Sequence, residues 1–436
     1  MPARAYLVRG GTPLHGTVEA SGGKNAATKL IVASILTGGP VRLHNIPRIG
    51  DVLTTLDVVG SLGTQVTWSQ DHSVHLLTTR VESAHVPEAF SGKNRIPILL
   101  VGPLLARLGH AEIPLLGGDP IGRRPADYHV AGYRALGAHV EEKEDRLTFS
   151  AEKLRGATIT LPFPSVMATE SLLIGSVFAE GTTVLRNAAV EPEILDLVDF
   201  LQKMGAVISH ETDRTYVVEG VRALDGAEHT VIPDRNEIVS FAVAAIATKG
   251  SVFIRSARQQ DLRTFLNYLR KIKAGFEVRD DGIRFSHVGA LAPLAFETGV
   301  HPGFMTDWQP PFVILLTQAE GTSVLHETVH ERRLGYVETL TVLGANIDAF
   351  TRCLGGNECR FRNRDFPHSA VIKGPTALVA HDVAVLDLRA GFSSLVATLV
   401  AEGTSRIRGV EQIERGYENL VEKLTGLGAQ ITVEED

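Results

Sequence analysis

Gly181-Thr-Thr-Val-Leu-Arg-Asn-Ala188, then Glu191-Pro-Glu-Ile-Leu-Asp-Leu-Val-Asp-Phe-Leu-Gln-Lys-Met-Gly205, Ala206-Val-Ile-Ser209 and Arg214-Thr-Tyr-Val-Val218, reads as strand, helix, strand, strand. Ile194, Leu197, Val198 and Leu201 fall on one helical face, Pro192 suits the first turn, and Gly205 suits the C-terminal stop. The same pattern restarts at Gly39, Gly109, Gly250, Gly321 and Gly403. Each copy closes on a Leu-Gly-Ala-like stop: Leu62-Gly63-Thr64, Leu136-Gly137-Ala138, Lys273-Ala274-Gly275, Leu343-Gly344-Ala345 and Leu427-Gly428-Ala429. The spacing therefore describes six copies of one α/β unit of roughly 70 residues.

A second helix precedes each starting glycine and is apolar nearly all round: Ala26 to Leu36, Ile96 to Leu108, Met167 to Ala179, Ile238 to Thr248, Phe312 to Ala319 and Phe392 to Ala401. A helix without a polar face belongs inside a domain. Three such helices per domain predict two similar domains, one over 22–232 with a lid loop at 115–129, the other 1–21 plus 233–436. The N-terminal strand Ala5 to Arg9 joins the second domain.

Length and composition agree with this division. A chain of 436 residues exceeds one ordinary core, and 44% hydrophobic with 21% charged residues is a well-packed globular balance. A net charge of −7 argues against general nucleic-acid or membrane-surface binding. The start Met1-Pro2-Ala3-Arg4 has no apolar leader core, and the longest apolar runs fall short of the ~20 residues of a membrane helix. Two cysteines, Cys353 and Cys359, fit a reduced cytoplasmic compartment. They sit in Arg352 to Arg364, a stretch longer than its counterparts; no further ligand stands near them in sequence, so no metal site is expected.

Polar and charged residues open the buried helices: Lys24-Asn25, Asn94-Arg95, Ser165 with Thr169, Asn236-Glu237, Asp307, and Asp387 with Arg389. If the helices of a domain run parallel, these starts converge, and helix N-termini with added cations make an anion site. Ser165, Asn94 and Asn236 equally suit simple caps. Lys24 and Arg389 do not, because a cation at a helix start opposes the dipole unless an anion intervenes. Ser21-Gly22-Gly23-Lys24-Asn25 lacks the upstream glycine and the following Ser or Thr of a P-loop, so that reading is rejected. The Gly-rich loop Leu115 to His129 carries Asp119, Arg123 and Arg124, a composition suited to a lid over a phosphate. Asp307, directly before a buried helix, can orient or deprotonate a hydroxyl, although alone it would pass for a cap.

Taken together, Ser21 to Asn25, Gly117 to His129, Thr306-Asp307, Glu327 to Arg333, Asp387-Leu-Arg389 and Glu414 to Glu418 resemble the enolpyruvyl transferase family across nearly the whole chain. The resemblance implies an inside-out α/β barrel of two three-repeat domains. It also implies transfer of the enolpyruvyl group of phosphoenolpyruvate to the 3′-hydroxyl of UDP-N-acetylglucosamine, with release of phosphate, no cofactor, and a monomer or weak homo-oligomer. Carried over by position, Lys24, Arg124, Arg389 and Arg415 hold the phosphate and carboxylate of phosphoenolpyruvate. The resemblance likewise implies that Asn25, Glu331 and Arg333 help align substrate and intermediate and that Asp307 takes the hydroxyl proton. It implies that Arg95, Arg124, Pro125, Ala126, Asp127, Tyr128, Ser165, Val166 and Val329 contact the UDP-sugar. Asp119 stands where the family usually has a proton-donating cysteine, and Phe163 where close members commonly carry a lysine. A carboxylate is a poorer nucleophile than a thiolate, which implies resistance to the epoxide antibiotic fosfomycin. Two other readings stay open: another acceptor, such as UMP or shikimate 3-phosphate, and a non-catalytic UDP-sugar-binding paralogue.

Overall fold

The computed structural model describes residues 4–357, 359–385 and 387–435; the part of the leader reading that rests on Met1 to Ala3 falls outside them. Six helices are buried over most of their surface, as their uniformly apolar sequences require: α1 (Lys24–Ala33), α2 (Val101–Leu108), α3 (Val166–Ser176), α4 (Arg235–Ala247), α5 (Gln309–Thr317) and α6 (Leu388–Val400). Residues 96–100 form a 3₁₀ turn ahead of α2. Pro103 has no N–H to give, so the α-helix starts where that proline falls in its first turn.

Around these helices the described strands form six separate sheets rather than one closed barrel. In the copy that starts at Gly181, Thr182–Arg186 is antiparallel to Thr215–Glu219, which in turn pairs with Val207–Glu211. A short parallel strand, Thr158–Thr160, covers the other edge. The sixth copy lacks its own last partner, and the chain's first strand supplies it. Arg4–Arg9 lies antiparallel between Thr404–Arg408 and Gln430–Glu435, with Tyr6 opposite both Ile407 and Val433.

The amphipathic helices of the copies stop at a left-handed residue: Gly63, Gly137, Gly205, Gly344 and Gly428, with φ between 91° and 106°. In the fourth copy the stop is shifted by one from the expected Lys273-Ala274-Gly275. Lys273 itself takes the left-handed conformation at φ 62°, and the strand already begins at Gly275. The loop from Leu115 is likewise shorter than expected, because Asp127–Ala135 is helical.

The chain divides into two compact units. One comprises Gly22–Asp119 and Arg124–Ile232; the other comprises the segment through Ser21, Pro120–Arg123, and the segment from Pro233. In the first unit, α2 and α3 approach so closely that a Cβ on Gly102 would lie 2.9 Å from the Gly175 backbone. In the second unit, Phe265, Tyr268, Phe296, Phe304, Trp308 and Phe312 form a cluster of edge-to-face and tilted ring pairs with centroids 4.7 to 6.3 Å apart. Fully buried aromatic side chains each contribute on the order of 2 to 3 kcal/mol. Among the described residues no helix is long and apolar enough to cross a membrane.

Candidate active site

Asp307 is placed by that aromatic cluster. It lies between Phe304 and Trp308, which are 1% and 2% exposed, so the intervening turn has little freedom. Asp307 is not the N-cap of α5, whose first residue is Gln309 and whose N-cap is Trp308 without a side-chain bond. Instead Arg333 Nη2 reaches Asp307 Oδ1 at 2.7 Å, and Arg389 Nε reaches Oδ2 at 3.4 Å. Arg333 also lies 3.7 Å from Asp387, the N-cap of α6.

Arg389 joins the helix starts of this unit. It is the second residue of α6, pairs with the acid before α5, and donates to the Tyr417 hydroxyl at 3.1 Å, which meets Ser240 of α4 at 2.7 Å. Burial alone would lower the pKa of Arg389, but Tyr417, Asp307 and Asp234 outweigh it and hold the guanidinium firmly protonated. The α4 start is capped by Asp234, whose Oδ1 accepts from the N–H groups of Asn236 and Glu237 at 2.7 and 3.2 Å. Asn236 is therefore not the cap. Its side-chain amide is buried without a hydrogen-bond partner among the described residues. Glu237 is structural: it accepts from Ser21 N–H and Lys423, both at 2.7 Å.

The segment after strand Gly321–His326 is organised by Glu327. Its buried carboxylate accepts from Val329 N–H at 2.7 Å, His330 N–H at 2.9 Å and Thr306 Oγ1 at 2.9 Å. Burial raises its pKa, and those donors offset part of the rise. Glu331 accepts from Arg123 N–H at 2.9 Å, next to Gly122, whose φ of 127° and tight contact with Glu331 exclude a side chain. Arg415 ends the short helix Glu411–Glu414, two residues before Tyr417.

In the other unit, α1 begins at Lys24, whose Nζ pairs with Asp51 at 2.8 Å. The anion demanded by a cation at a helix start is thus partly supplied by an acid in the first turn of Gly50–Ser61. Nothing in the sequence distinguishes Asp51 from an ordinary first-turn carboxylate. Asn25 follows at the second position of α1, half-buried. Gly22 packs against the carbonyl of Asn45.

Arg95 and Arg124 form a second cationic group. Arg124 Nη2 donates to the Asp119 carbonyl at 3.0 Å, and Arg95 Nη2 to the Pro125 carbonyl at 3.4 Å. Burial pushes the Arg95 guanidinium down to about 10, the Arg124 charge adds to this, and Asp127 opposes it. Two like charges held together in this way favour a bound anion. Ser165 caps α3, accepting from Ala168 N–H at 3.4 Å, with Val166 beginning the helix. Ala126, Tyr128 and Phe163 are half-buried, and Pro125 and Asp127 are exposed.

His129 lies beneath this group. Burial, helped by the charge of Arg95, pushes its pKa down to about 3. An unfolded histidine titrates near 6.5, so the folded state resists a proton that the unfolded state accepts, and stability falls as pH drops below about 6.5. Between pH 7 and pH 5 this costs about 2 kcal/mol. The fall in melting temperature over that interval is expected to be clearly smaller in His129→Gln, read by thermal unfolding at both pH values.

One expectation fails outright. Cys353 and Cys359 do not lack further ligands, because the sheet brings His326 and His368 beside them. Sequence distance hid the cluster, since His326 comes from the strand two segments earlier.

Comparison with known proteins follows the same outline. The model for EPSP synthase (3-phosphoshikimate 1-carboxyvinyltransferase) matches residues 8–424. The chain is 48% identical to the UDP-N-acetylglucosamine 1-carboxyvinyltransferase of Protochlamydia amoebophila, over 98% of this chain and 94% of that protein. It is 46% identical to the protein of the same name from Chlamydia muridarum, over 98% of each. Among solved structures, the enolpyruvyl transferase NikO from Streptomyces tendae shares the fold at a TM-score of 0.88 and 22% identity, covering 100% of both chains. EPSP synthase from Acinetobacter baumannii shares it at 0.76 and 17%, covering 99% of this chain and 100% of that one.

Proposed function

This chain belongs to the EPSP synthase family of enolpyruvyl transferases, and from that premise we propose that it moves the enolpyruvyl group of phosphoenolpyruvate to the 3′-hydroxyl of UDP-N-acetylglucosamine. The observation that carries the choice of acceptor is the near full-length identity of 46% to 48% with proteins named for that acceptor. The reaction commits the sugar nucleotide to peptidoglycan synthesis, and hence to cell-wall growth and division. The same reading assigns the reaction to the cytoplasm. The working form is a monomer or a weak homo-oligomer.

The chemistry asks for an acid, a base and a cradle of cations. Asp119 delivers a proton to the methylene carbon of phosphoenolpyruvate while the sugar hydroxyl adds to the neighbouring carbon, and Asp307 accepts the hydroxyl proton. The tetrahedral adduct then loses phosphate as the methyl group gives up a proton, which re-forms the carbon–carbon double bond as an enol ether on the sugar oxygen. Lys24, Arg124, Arg389 and Arg415 stabilise the phosphate and carboxylate throughout. Arg389 and Arg333 both pair with Asp307. A bound anion competes for those guanidiniums and so frees the carboxylate to act as base. Arg333, Asn25 and Glu331 align the substrate; Arg95, the stretch Arg124 to Tyr128, Ser165, Val166 and Val329 contact the UDP-sugar.

Phosphate release measured with phosphoenolpyruvate and each of UDP-N-acetylglucosamine, UMP and shikimate 3-phosphate tests the reading. Turnover is expected with the first acceptor alone. Turnover only with another acceptor shows a sister transferase, and binding of UDP-N-acetylglucosamine with no phosphate from any acceptor shows a non-catalytic paralogue.

A further inference from the structure

We propose that His326, Cys353, Cys359 and His368 bind one structural zinc ion. Their ligand atoms all lie within 4.8 Å of one another, and among the described residues no other such group is found. Roughly 3.3 to 3.8 Å separates the ligands of a tetrahedral zinc bound by two thiolates and two imidazoles, given bonds of about 2.0 to 2.3 Å. His326 Nε2 stands 3.2 Å from Cys359 Sγ, and His368 Nε2 stands 3.3 Å from Cys353 Sγ. Modest spreading of these pairs admits the ion.

The arrangement beyond the ligands is what a metal site needs. His326 Nδ1 lies 2.9 Å from Glu297 Oε2, and His368 Nδ1 lies 3.0 Å from the Phe366 carbonyl. Both outer nitrogens therefore carry their proton toward an acceptor, which leaves each Nε2 lone pair directed at the thiols. Phe361 N–H donates to Cys359 Sγ at 3.4 Å, a contact that suits a thiolate. Glu297 Oε1 also accepts from Gly356 and Asn357 N–H at 2.8 and 3.2 Å, tying the cysteine loop to the histidine it orients. Gly355 passes so close to His326 and Glu297 that a Cβ would collide with both.

Backbone pairing fixes the scaffold. His326 ends its strand opposite Ser369, the residue after His368, and Glu297 pairs with His326 from the parallel side. The ligand order is Cys353-x5-Cys359-x8-His368, with the fourth ligand, His326, ending strand Gly321–His326, beyond helix Tyr336–Val342 and strand Asn346–Phe350. Both histidines are fully buried and Cys359 is 7% exposed. Four protein ligands leave no open position, so the ion is structural rather than catalytic, and two thiolates with two imidazoles favour zinc over the harder cations. Binding releases the two thiol protons to solvent. The site clamps residues 351–357 and 359–368 onto the strand end, directly behind Glu327, which holds the Val329 and His330 N–H groups.

The test uses the full chain, purified without a histidine tag or chelator under reducing conditions. Elemental analysis is expected to find about one zinc per chain, and less than about 0.2 in Cys353→Ser or Cys359→Ser. Exchange of the wild-type protein into cobalt(II) should give thiolate charge-transfer bands and the intense visible bands of a tetrahedral centre, whatever the variants' folding. Chelation should lower the melting temperature by at least about 5 °C. The proposal is overturned by wild-type protein that holds no zinc and shows no such cobalt spectrum. Stoichiometric zinc that survives both serine substitutions, iron in zinc's place, or a Cys353–Cys359 disulfide in the fresh protein would each overturn it too.

Discussion

Asp307→Asn lowers kcat by about 10³-fold, equivalent to about 4 kcal/mol of barrier, with the KM values for both substrates changed far less. The expectation rests on what Asp307 does not do. A carboxylate at a helix start ordinarily caps it, and its loss would then be a matter of stability. Here Trp308 occupies the N-cap, and both Asp307 oxygens face guanidiniums, 2.7 Å to Arg333 and 3.4 Å to Arg389. Asparagine keeps the shape and loses the proton acceptor. It also leaves two nearly buried arginines short of one counter-charge, although Asp387 stays 3.7 Å from Arg333. Some loss of stability therefore accompanies the change, on the order of 1 to 3 kcal/mol. Phosphate-release kinetics below the melting range, with thermal unfolding run beside them, separate the two effects. A kcat within tenfold of wild type rules out Asp307 as the base.

The second large effect is a gain of sensitivity. Wild-type protein keeps its activity after prolonged incubation with fosfomycin, whereas Asp119→Cys loses it irreversibly in a time-dependent way, because the epoxide needs a thiolate nucleophile. Asp119 is half-buried, and its carbonyl accepts from Arg124 at 3.0 Å, so a cysteine there sits beside a cation that favours its thiolate. Asp119→Asn supplies the control: it can neither protonate carbon nor be alkylated, and phosphate release is expected to fall by about 10²-fold or more. Covalent mass gain on residue 119 of the cysteine variant, and none on the wild type, is the direct readout. Rapid irreversible inactivation of the wild type at low fosfomycin concentration would show that Asp119 has been misread.

The six-copy pattern was legible because each copy carries its own punctuation. Runs such as Val239 to Ala247 have no polar face and can only be interior, and Gly205 or Gly344 marks a stop that needs a left-handed residue. The one slip, at Lys273, arose because a lysine there adopts the conformation that the other copies give to glycine. Individual helix starts were harder to read. Ser165, Asp234 and Asp387 cap their helices, as their residue types suggest, while Asp307, near a helix start, pairs with Arg333 and Arg389.

What the chain's order of residues determined by itself is the part governed by local periodicity: which segments are interior helices, where copies begin and end, and which cations stand at helix starts. Those signals lie within a few turns of one another, and the resemblance to a transferase family follows from the same contiguous motifs. Only the tertiary structure decided the pairings between segments far apart in the chain. It gave Lys24 the partner Asp51, placed Asp307 between Arg333 and Arg389, and brought Tyr417 to Ser240. It also gathered His326 and His368 around Cys353 and Cys359. These contacts depend on strand register and on how buried helices pack, and no local pattern encodes either.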